Sequence, residues 1–183
     1  RNKKDYSVIG SFNNIEDPSD DVLSSMTIDY ATGIAYGITS KGAFGILNLN
    51  DASFETIGNV DEKVCALAVG KDGTIYGTGS ANFVEKAVLY SIDKETAALT
   101  KLADMPFRAF SDGAYYDEVN YNPQMIYDYQ NDRLYVSASV HTRDGGNIQE
   151  HDGMYIIDLK NNYDAFNIGY VMLNLRGTPK KGK

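Results

Sequence analysis

Apolar and polar residues alternate with a period of two along much of the chain. In residues 26–30, and again in residues 34–38, every second residue is apolar, and Thr32-Gly33 lies between the two runs. Strict alternation is typical of a half-buried β-strand rather than a helix. A turn dipeptide that contains glycine is typical of a tight connection between antiparallel strands. The pattern therefore predicts a β-hairpin.

This hairpin sequence pattern occurs three times along the chain. It is found as ATGIAYGI at 31–38, KDGTIYGT at 71–78 and QNDRLYVS at 130–137. Each copy places a turn-forming pair directly before a strand that is rich in apolar and aromatic residues. Recurrence of one phrase at related spacings predicts an internally repeated β fold.

Two further strand patterns follow each hairpin. A strand that reaches Asn or Asp is found at 44–50, 89–95 and 154–160. A closing strand is found at 55–60, 99–105 and 166–171. Tyr36 and Tyr76 lie about 40 positions apart, which is the period of a four-stranded propeller blade. We therefore predict three four-stranded units at about 25–60, 64–105 and 124–171.

The repeat has the form D-x-x-T-G-x-x-Y, then an apolar strand ending in Asp or Asn, then T-x-I-G. It resembles the degenerate blades of β-propellers that lack the WD dipeptide, such as the YVTN type, over roughly residues 6–171. The resemblance implies an all-β fold of antiparallel β-propeller blades and a role in interactions, and it carries no catalytic residue. A β-sandwich or a β-solenoid is the alternative, but sandwiches seldom repeat their turn chemistry in register.

The predicted ring is incomplete. SVIGSF at 7–12 matches the closing-strand pattern, so the sequence predicts one N-terminal strand followed by three blades in a single partial propeller domain, 1–183. Propellers need at least about four blades to close without exposed sheet edges. We therefore expect this chain to be part of a larger ring, completed by a longer parent, a second polypeptide or a second copy. Residues 172–183 are predicted to form a tail.

Charge and composition narrow the class of partner. The chain has 17 basic and 25 acidic residues and a net charge of −8, which argues against binding to nucleic acid. No apolar run approaches the ~20 residues of a membrane-spanning helix. The abundance of Tyr, Asn and Asp favours an extracellular or bacterial surface location. Cys65, in the apolar run VCALAV, is predicted to be buried and unreactive.

The longest segments between predicted strands all belong to one rim of the disc. They are 13–21, 80–86, 106–123 and 140–153. Insertions on one face of a repeat protein mark its binding face, so we predict ligand binding there. The candidate residues are Phe83, Phe107, Arg108, Phe110, Tyr115, Tyr116, Tyr121, His141, Arg143 and His151. Aromatic residues with Arg are typical of protein interfaces and of sugar-stacking platforms, although the same aromatics could simply pack the long connection against the disc.

Segment 140–153 carries both histidines of the chain among carboxylates and an amide. Such groups can bind zinc or calcium. The histidines lack H-x-x-x-H spacing, however, and the oxygens lack the alternation of an EF-hand loop, so a solvated loop is favoured. We predict no metal site and no cofactor, with a structural calcium ion as the exception considered.

No catalytic motif is present, whether a nucleophile elbow, a phosphate-binding loop or a dinucleotide fingerprint. The leading hypothesis is a non-catalytic module, secreted or surface-displayed, that binds protein or glycan through the long-loop rim. The alternative is part of a propeller lyase, lactonase or hydrolase whose active site lies at the central channel and is completed by other blades. Asp29 and Asp128 would then be candidates. A structural spacer without a ligand is the third possibility.

Overall fold

The fold is known from a computed structural model and consists of β-strands and turns in the part of the chain that it describes. The described residues are 21–80, 86–108, 124–144 and 147–171, without the side chains of 80, 108, 138–144, 147–152 and 170–171. The strands are β1 (Leu23–Ile28), β2 (Ala35–Thr39), β3 (Ala43–Leu47), β4 (Phe54–Asn59), β5 (Lys63–Val69), β6 (Ile75–Ser80), β7 (Lys86–Ile92), β8 (Leu99–Arg108), β9 (Gln124–Asp128), β10 (Arg133–Asp144), β11 (Asn147–Asp158) and β12 (Asp164–Val171). Within these ranges there is no helix long and apolar enough to cross a membrane.

The strands form three antiparallel sheets, each of four strands in chain order. We call β1–β4 blade 1, β5–β8 blade 2 and β9–β12 blade 3. Each blade runs up and down without a crossover, unlike the Greek-key connections of a sandwich. The prediction of an all-β fold built from four-stranded antiparallel units is confirmed. The predicted N-terminal strand at 7–12 lies outside the described residues.

The blades pack face to face, with their first strands side by side. Strand β1 contacts β5, and β5 contacts β9. One buried apolar cluster joins blade 1 to blade 2 and includes Ile38, Phe44 and Ile75. A second cluster joins blade 2 to blade 3 and includes Leu89 and Leu134. Stacked up-and-down sheets with adjacent inner strands are the arrangement of consecutive propeller blades.

The repeated turn phrases have the backbone conformation that their residue types predict. Gly33, Gly73 and Asp132, in the first hairpin of blades 1, 2 and 3, have φ values of +75°, +82° and +60°. This left-handed region is readily adopted by glycine and tolerated by aspartate. Asp93 supports the later turn of blade 2, because its Oδ1 accepts hydrogen bonds from the backbone N–H groups of Glu95 and Thr96 at 3.0 and 2.8 Å. The abundant aspartates therefore serve turns.

Segment 140–153 differs from the solvated loop that the sequence predicts. Strands β10 and β11 pair without interruption from Arg133 and Asp158 to Asp144 and Asn147. The segment therefore belongs to one long hairpin rather than to a loop. The physical reason is that pairing begins in the buried part of both strands and continues outward, since each added backbone pair needs no apolar side chain.

Cys65 lies in β5 and is 2% exposed. Burial raises the pKa of its thiol to about 12, and the thiolate is the reactive form of cysteine. We expect a thiol reagent to leave the native protein unmodified at about pH 8 and to modify it fully in denaturant. Absorbance of the released chromophore measures this. Rapid labelling of the native protein would contradict the burial of β5 between the two neighbouring blades.

Candidate functional site

Most of the predicted rim residues cannot be located by their side chains. Outside the described residues lie Phe83, Phe110, Tyr115, Tyr116 and Tyr121. Located by backbone alone, in strands β8, β10 and β11, are Arg108, His141, Arg143 and His151. The predicted binding role of these nine residues, and the structural calcium ion considered for segment 140–153, therefore stay predictions.

Phe107 is the one predicted rim residue whose side chain is described. It is 3% exposed and belongs to the core between blades 2 and 3. Its ring centroid lies 4.7 Å from that of Tyr155, with the ring planes tilted by 44°. The alternative stated for the aromatic residues, packing of the connection against the disc, thus applies to Phe107.

A cleft lies at the ends of the first strands of all three blades. We call it the tyrosine cleft; its volume is about 560 Å³. Its lining consists of Thr27, Ile28, Tyr30, Ala68, Val69, Met125, Ile126, Tyr127 and Tyr129. Because β1, β5 and β9 each run toward the first hairpin turn of their blade, the cleft opens at the rim of the short turns. This is the rim opposite to the one predicted for binding.

Three tyrosine rings form a continuous series across the cleft. Tyr30 of blade 1 contacts Tyr129 of blade 3 edge to face, with centroids 5.6 Å apart and planes at 82°. Tyr129 makes a second edge contact with Tyr127 at 4.8 Å and 85°. The exposed fractions of Tyr30 and Tyr129 are 76% and 43%. Perpendicular rings attract because the positive edge of one faces the negative face of the next.

Polar partners fix two of these rings. The Tyr127 hydroxyl donates a hydrogen bond to the carboxylate of Asp132, which also binds the Lys71 ammonium at 2.8 Å. The Tyr129 hydroxyl lies 3.5 Å from the carbonyl oxygen of Val69 in blade 2. Burial, with the hydrogen bond to Asp132, raises the pKa of Tyr127 to about 12. Tyr127 is therefore a neutral hydrogen-bond donor at physiological pH.

Charged side chains near the cleft form ion pairs, two of which join different blades. Lys94 of blade 2 lies 3.0 Å from the carboxylate of Asp29 in blade 1. Its ammonium is also 5.5 Å from the centroid of the Tyr36 ring, within reach of a cation–π interaction. On the other side, Asp132 of blade 3 is shared by Lys71 at 2.8 Å and Lys160 at 3.6 Å. The pairs of Lys94 with Asp29 and of Lys71 with Asp132 join neighbouring blades at the short-turn rim, whereas Lys160 and Asp132 both lie in blade 3.

The two carboxylates considered for an enzyme are engaged in turns. Asp29 accepts a hydrogen bond from the backbone N–H of Ala31 at 3.0 Å, and its hydrogen bond from Lys94 lowers its pKa below the usual value. Asp128 accepts hydrogen bonds from the side chain and backbone of Asn131, which lower its pKa as well. Both carboxylates are therefore ionised at neutral pH. A carboxylate whose lone pairs serve a turn is ill placed to transfer protons.

Comparison with known proteins found a similarity to a solved structure. No protein-family model matches the sequence, and no curated protein matches it. The structure is similar to the crystal structure of TolB from Acinetobacter baumannii, with a TM-score of 0.48 and 13% sequence identity. The similarity covers 84% of this chain and 33% of the TolB chain. The chain thus spans about one third of the length of that protein.

The tyrosine cleft was not predicted from the sequence, although one signal in it was available. The dipeptide Asp-Tyr lies at the end of the first strand in two blades: Asp29-Tyr30 follows β1, and Asp128-Tyr129 begins at the last residue of β9, where blade 2 has Gly70-Lys71. The aspartate is explained by the turn. A turn does not need a tyrosine, so a large aromatic residue repeated at a surface position indicates an additional role.

Proposed function

We propose that this chain is a non-catalytic binding module that holds its ligand in the tyrosine cleft. The observation that supports the proposal is the series of three tyrosine rings in a concave site shared by three blades. A volume of about 560 Å³ falls in the ~300–1,000 Å³ range of ligand sites. Tyr30 keeps 76% of its surface in water, and a ligand that covers this ring gains the free energy of that burial.

Binding is a better explanation of the cleft than catalysis. Among the described residues its lining offers apolar side-chain atoms and hydroxyl groups, with no carboxylate, imidazole, thiol or ammonium group. The carboxylates of Asp29, which precedes Tyr30, and of Asp132, which binds Tyr127, are paired with lysines. Acid–base or nucleophilic chemistry needs a titratable group within hydrogen-bond reach of the substrate. No observation on the described residues favours the enzyme alternative.

Other features of this function rest on the sequence. Binding through the long-loop rim, completion of the ring by a second polypeptide or a second copy, and an extracellular or surface location stay predictions.

The face of blade 3 that is turned away from blade 2 is relevant to completion of the ring. Ile126, Tyr135, Ile156 and Phe166 stand in register across its four strands. Ile126 and Phe166 are 66% and 46% exposed.

A tryptophan placed in the cleft tests the proposed function. The chain contains no tryptophan, so Tyr30→Trp introduces a single indole at the exposed end of the ring series. We expect its fluorescence to change, with saturation, when a panel of short peptides and oligosaccharides is titrated, because a ligand in the cleft must cover this ring.

The matched control is Phe166→Trp, which places an equally unique indole on the outer strand β12, away from the cleft. Ligands that change the tryptophan emission of Tyr30→Trp should leave the emission of Phe166→Trp constant. A response of the same size from both reporters would contradict a site in the cleft. If neither the peptides nor the oligosaccharides change the fluorescence of the Tyr30→Trp protein, the proposed function itself is contradicted.

A further inference from the structure

We infer that the tyrosine cleft takes an uncharged, extended peptide segment rich in proline and apolar side chains, rather than a glycan or a charged ligand. This inference rests on the proposed function and names the ligand class of the same site. Three independent features of the cleft lead to it: the polar groups in its lining, the pairing of the charges around it and the angle between its rings.

The first feature is the small number of free polar groups. Side-chain hydrogen bonding in the lining comes from the hydroxyls of Thr27 and the three tyrosines. The Tyr127 hydroxyl is already bound to Asp132. A sugar brings several hydroxyl groups, each of which loses water on binding and costs about 1–3 kcal/mol if it finds no partner. The lining side chains in the described part of the protein include no carboxylate, amide or guanidinium group to supply those partners, so they do not suit a glycan.

The second feature is the pairing of the charges around the cleft. The ammonium groups of Lys94 and Lys71 are 3.0 and 2.8 Å from the carboxylates of Asp29 and Asp132. Lys160 is the second cation at Asp132, at 3.6 Å. The Asp29–Lys94 pair is neutral, and the second cation at Asp132, Lys160, is 65% exposed, so solvent and salt screen its charge over roughly 8–10 Å. An ionised ligand would lose hydration in the apolar cleft without gaining a counter-charge there.

The third feature is the angle between the rings. With planes at 82° and 85° in succession, the tyrosines form the walls of a stepped groove rather than one flat platform. Ile28, Val69 and Met125 add apolar surface between the walls. Proline-rich segments bind in grooves between aromatic side chains, because their polyproline II conformation is preformed and loses little entropy on binding. A pyranose ring instead needs one broad aromatic face.

The test uses the whole chain and defined probes. One probe is an uncharged peptide of about ten residues that alternates proline pairs with leucine; its controls are a Gly/Ser peptide of the same length and a linear glucose oligosaccharide. Titration calorimetry on the unmodified protein and fluorescence of the Tyr30→Trp variant measure binding. We expect saturable binding of the proline peptide alone, with affinity nearly unchanged between about 50 and 500 mM salt.

Substitutions in the cleft then show whether the rings carry the binding. Tyr129→Ala should weaken the proline peptide by about tenfold or more, whereas Tyr129→Phe should keep the affinity, because the ring contributes more than the hydroxyl. Phe166→Ala, outside the cleft, should have no effect. If Tyr129→Ala fails to fold by circular dichroism, Tyr30→Ala replaces it, because that side chain is three-quarters exposed and carries little of the fold.

The outcomes separate the inference from the proposed function. Saturable binding of the oligosaccharide without the peptide would overturn the peptide assignment and leave the binding module in place. A peptide affinity that falls steeply with salt would overturn the uncharged class in the same way. If neither the proline peptide nor any other peptide or oligosaccharide tested changes the fluorescence of the Tyr30→Trp variant, both the inference and the proposed function fail.

Discussion

Replacement of Ile157 by alanine is expected to lower the free energy of unfolding by about 3 kcal/mol, within the ~2–5 kcal/mol seen for large-to-small core substitutions. Ile157 lies in β11, is 0% exposed and belongs to the cluster that joins blade 2 to blade 3. Its neighbours Leu89 and Leu134 come from both blades. A cavity here removes contacts from two sheets at once, and rigid sheets collapse poorly around it. Denaturant unfolding followed by circular dichroism measures the change.

The control for this substitution is Ile168→Ala in the neighbouring strand β12. The chemical change is identical, but Ile168 is 49% exposed, so its loss should cost less than about 1 kcal/mol. The slope of the free energy against denaturant should be unchanged in both variants, because neither alters the surface exposed on unfolding. Equal losses for the two variants would contradict the packing of blade 3 on blade 2.

Strands and turns were predictable because their causes are local in sequence. Alternation of apolar residues in 34–38 follows from a strand with two different faces. The turn at Thr32-Gly33 needs a residue that adopts positive φ, and Gly33 does so at +75°. Each of these constraints acts within a few residues. Three copies of the same local pattern were therefore enough to predict four-stranded antiparallel units.

The long hairpin shows where a local pattern misleads. Residues 140–153 are polar and contain three glycines, which is the composition of a loop. Backbone pairing between β10 and β11 nevertheless continues as far as Asp144 and Asn147, because a hairpin that starts in a buried sheet is extended by main-chain hydrogen bonds. Side-chain polarity does not report on those bonds.

The tyrosine cleft could not be derived from the sequence because it arises between blades. Tyr30 and Tyr129 are about one hundred positions apart, and they meet because β1 packs beside β5 and β5 packs beside β9. Periodicity predicts that such strands exist and which face of each is apolar. It does not give the angle or distance between successive sheets, and those two quantities place the rings in contact.

Replacement of Asp29 by alanine is expected to cost about 2–3 kcal/mol of stability at neutral pH, near the lower end of the ~3–5 kcal/mol for breaking a buried pair. The Asp29 side chain is 3% exposed, and that of its partner Lys94 is 32% exposed. The substitution leaves the ammonium of Lys94 without its counter-charge and removes the hydrogen bond accepted from Ala31. The matched control is Asp104→Ala, which breaks the exposed pair with Lys101 and should cost no more than about 0.5 kcal/mol.

The stabilisation that Asp29 provides should be lost at acidic pH. The hydrogen bond from Lys94 lowers the pKa of Asp29 in the folded state below its value in the unfolded chain. The stabilisation is therefore fully present above the unfolded pKa of about 3.9 and is lost as the pH falls through the folded pKa. Unfolding curves of the unmodified protein and of Asp29→Ala should converge as the pH is lowered below about 4. A constant difference from neutral to acidic pH would contradict an ionised Asp29 that joins blade 1 to blade 2.

A double substitution tests whether the loss comes from the pair itself. Lys94→Met removes the charge and keeps a long apolar stem against the Tyr36 ring, so the Asp29→Ala, Lys94→Met protein has no ammonium at position 94 left without its counter-charge. If the cost of Asp29→Ala is mainly that of an uncompensated charge, the double variant should recover about 1 kcal/mol or more relative to Asp29→Ala alone. If the loss in the double variant equals the sum of the losses in Asp29→Ala and Lys94→Met, Asp29 acts through its turn at Ala31 and not through Lys94. Apolar packing, rather than the ion pair, would then hold blades 1 and 2 together at this rim.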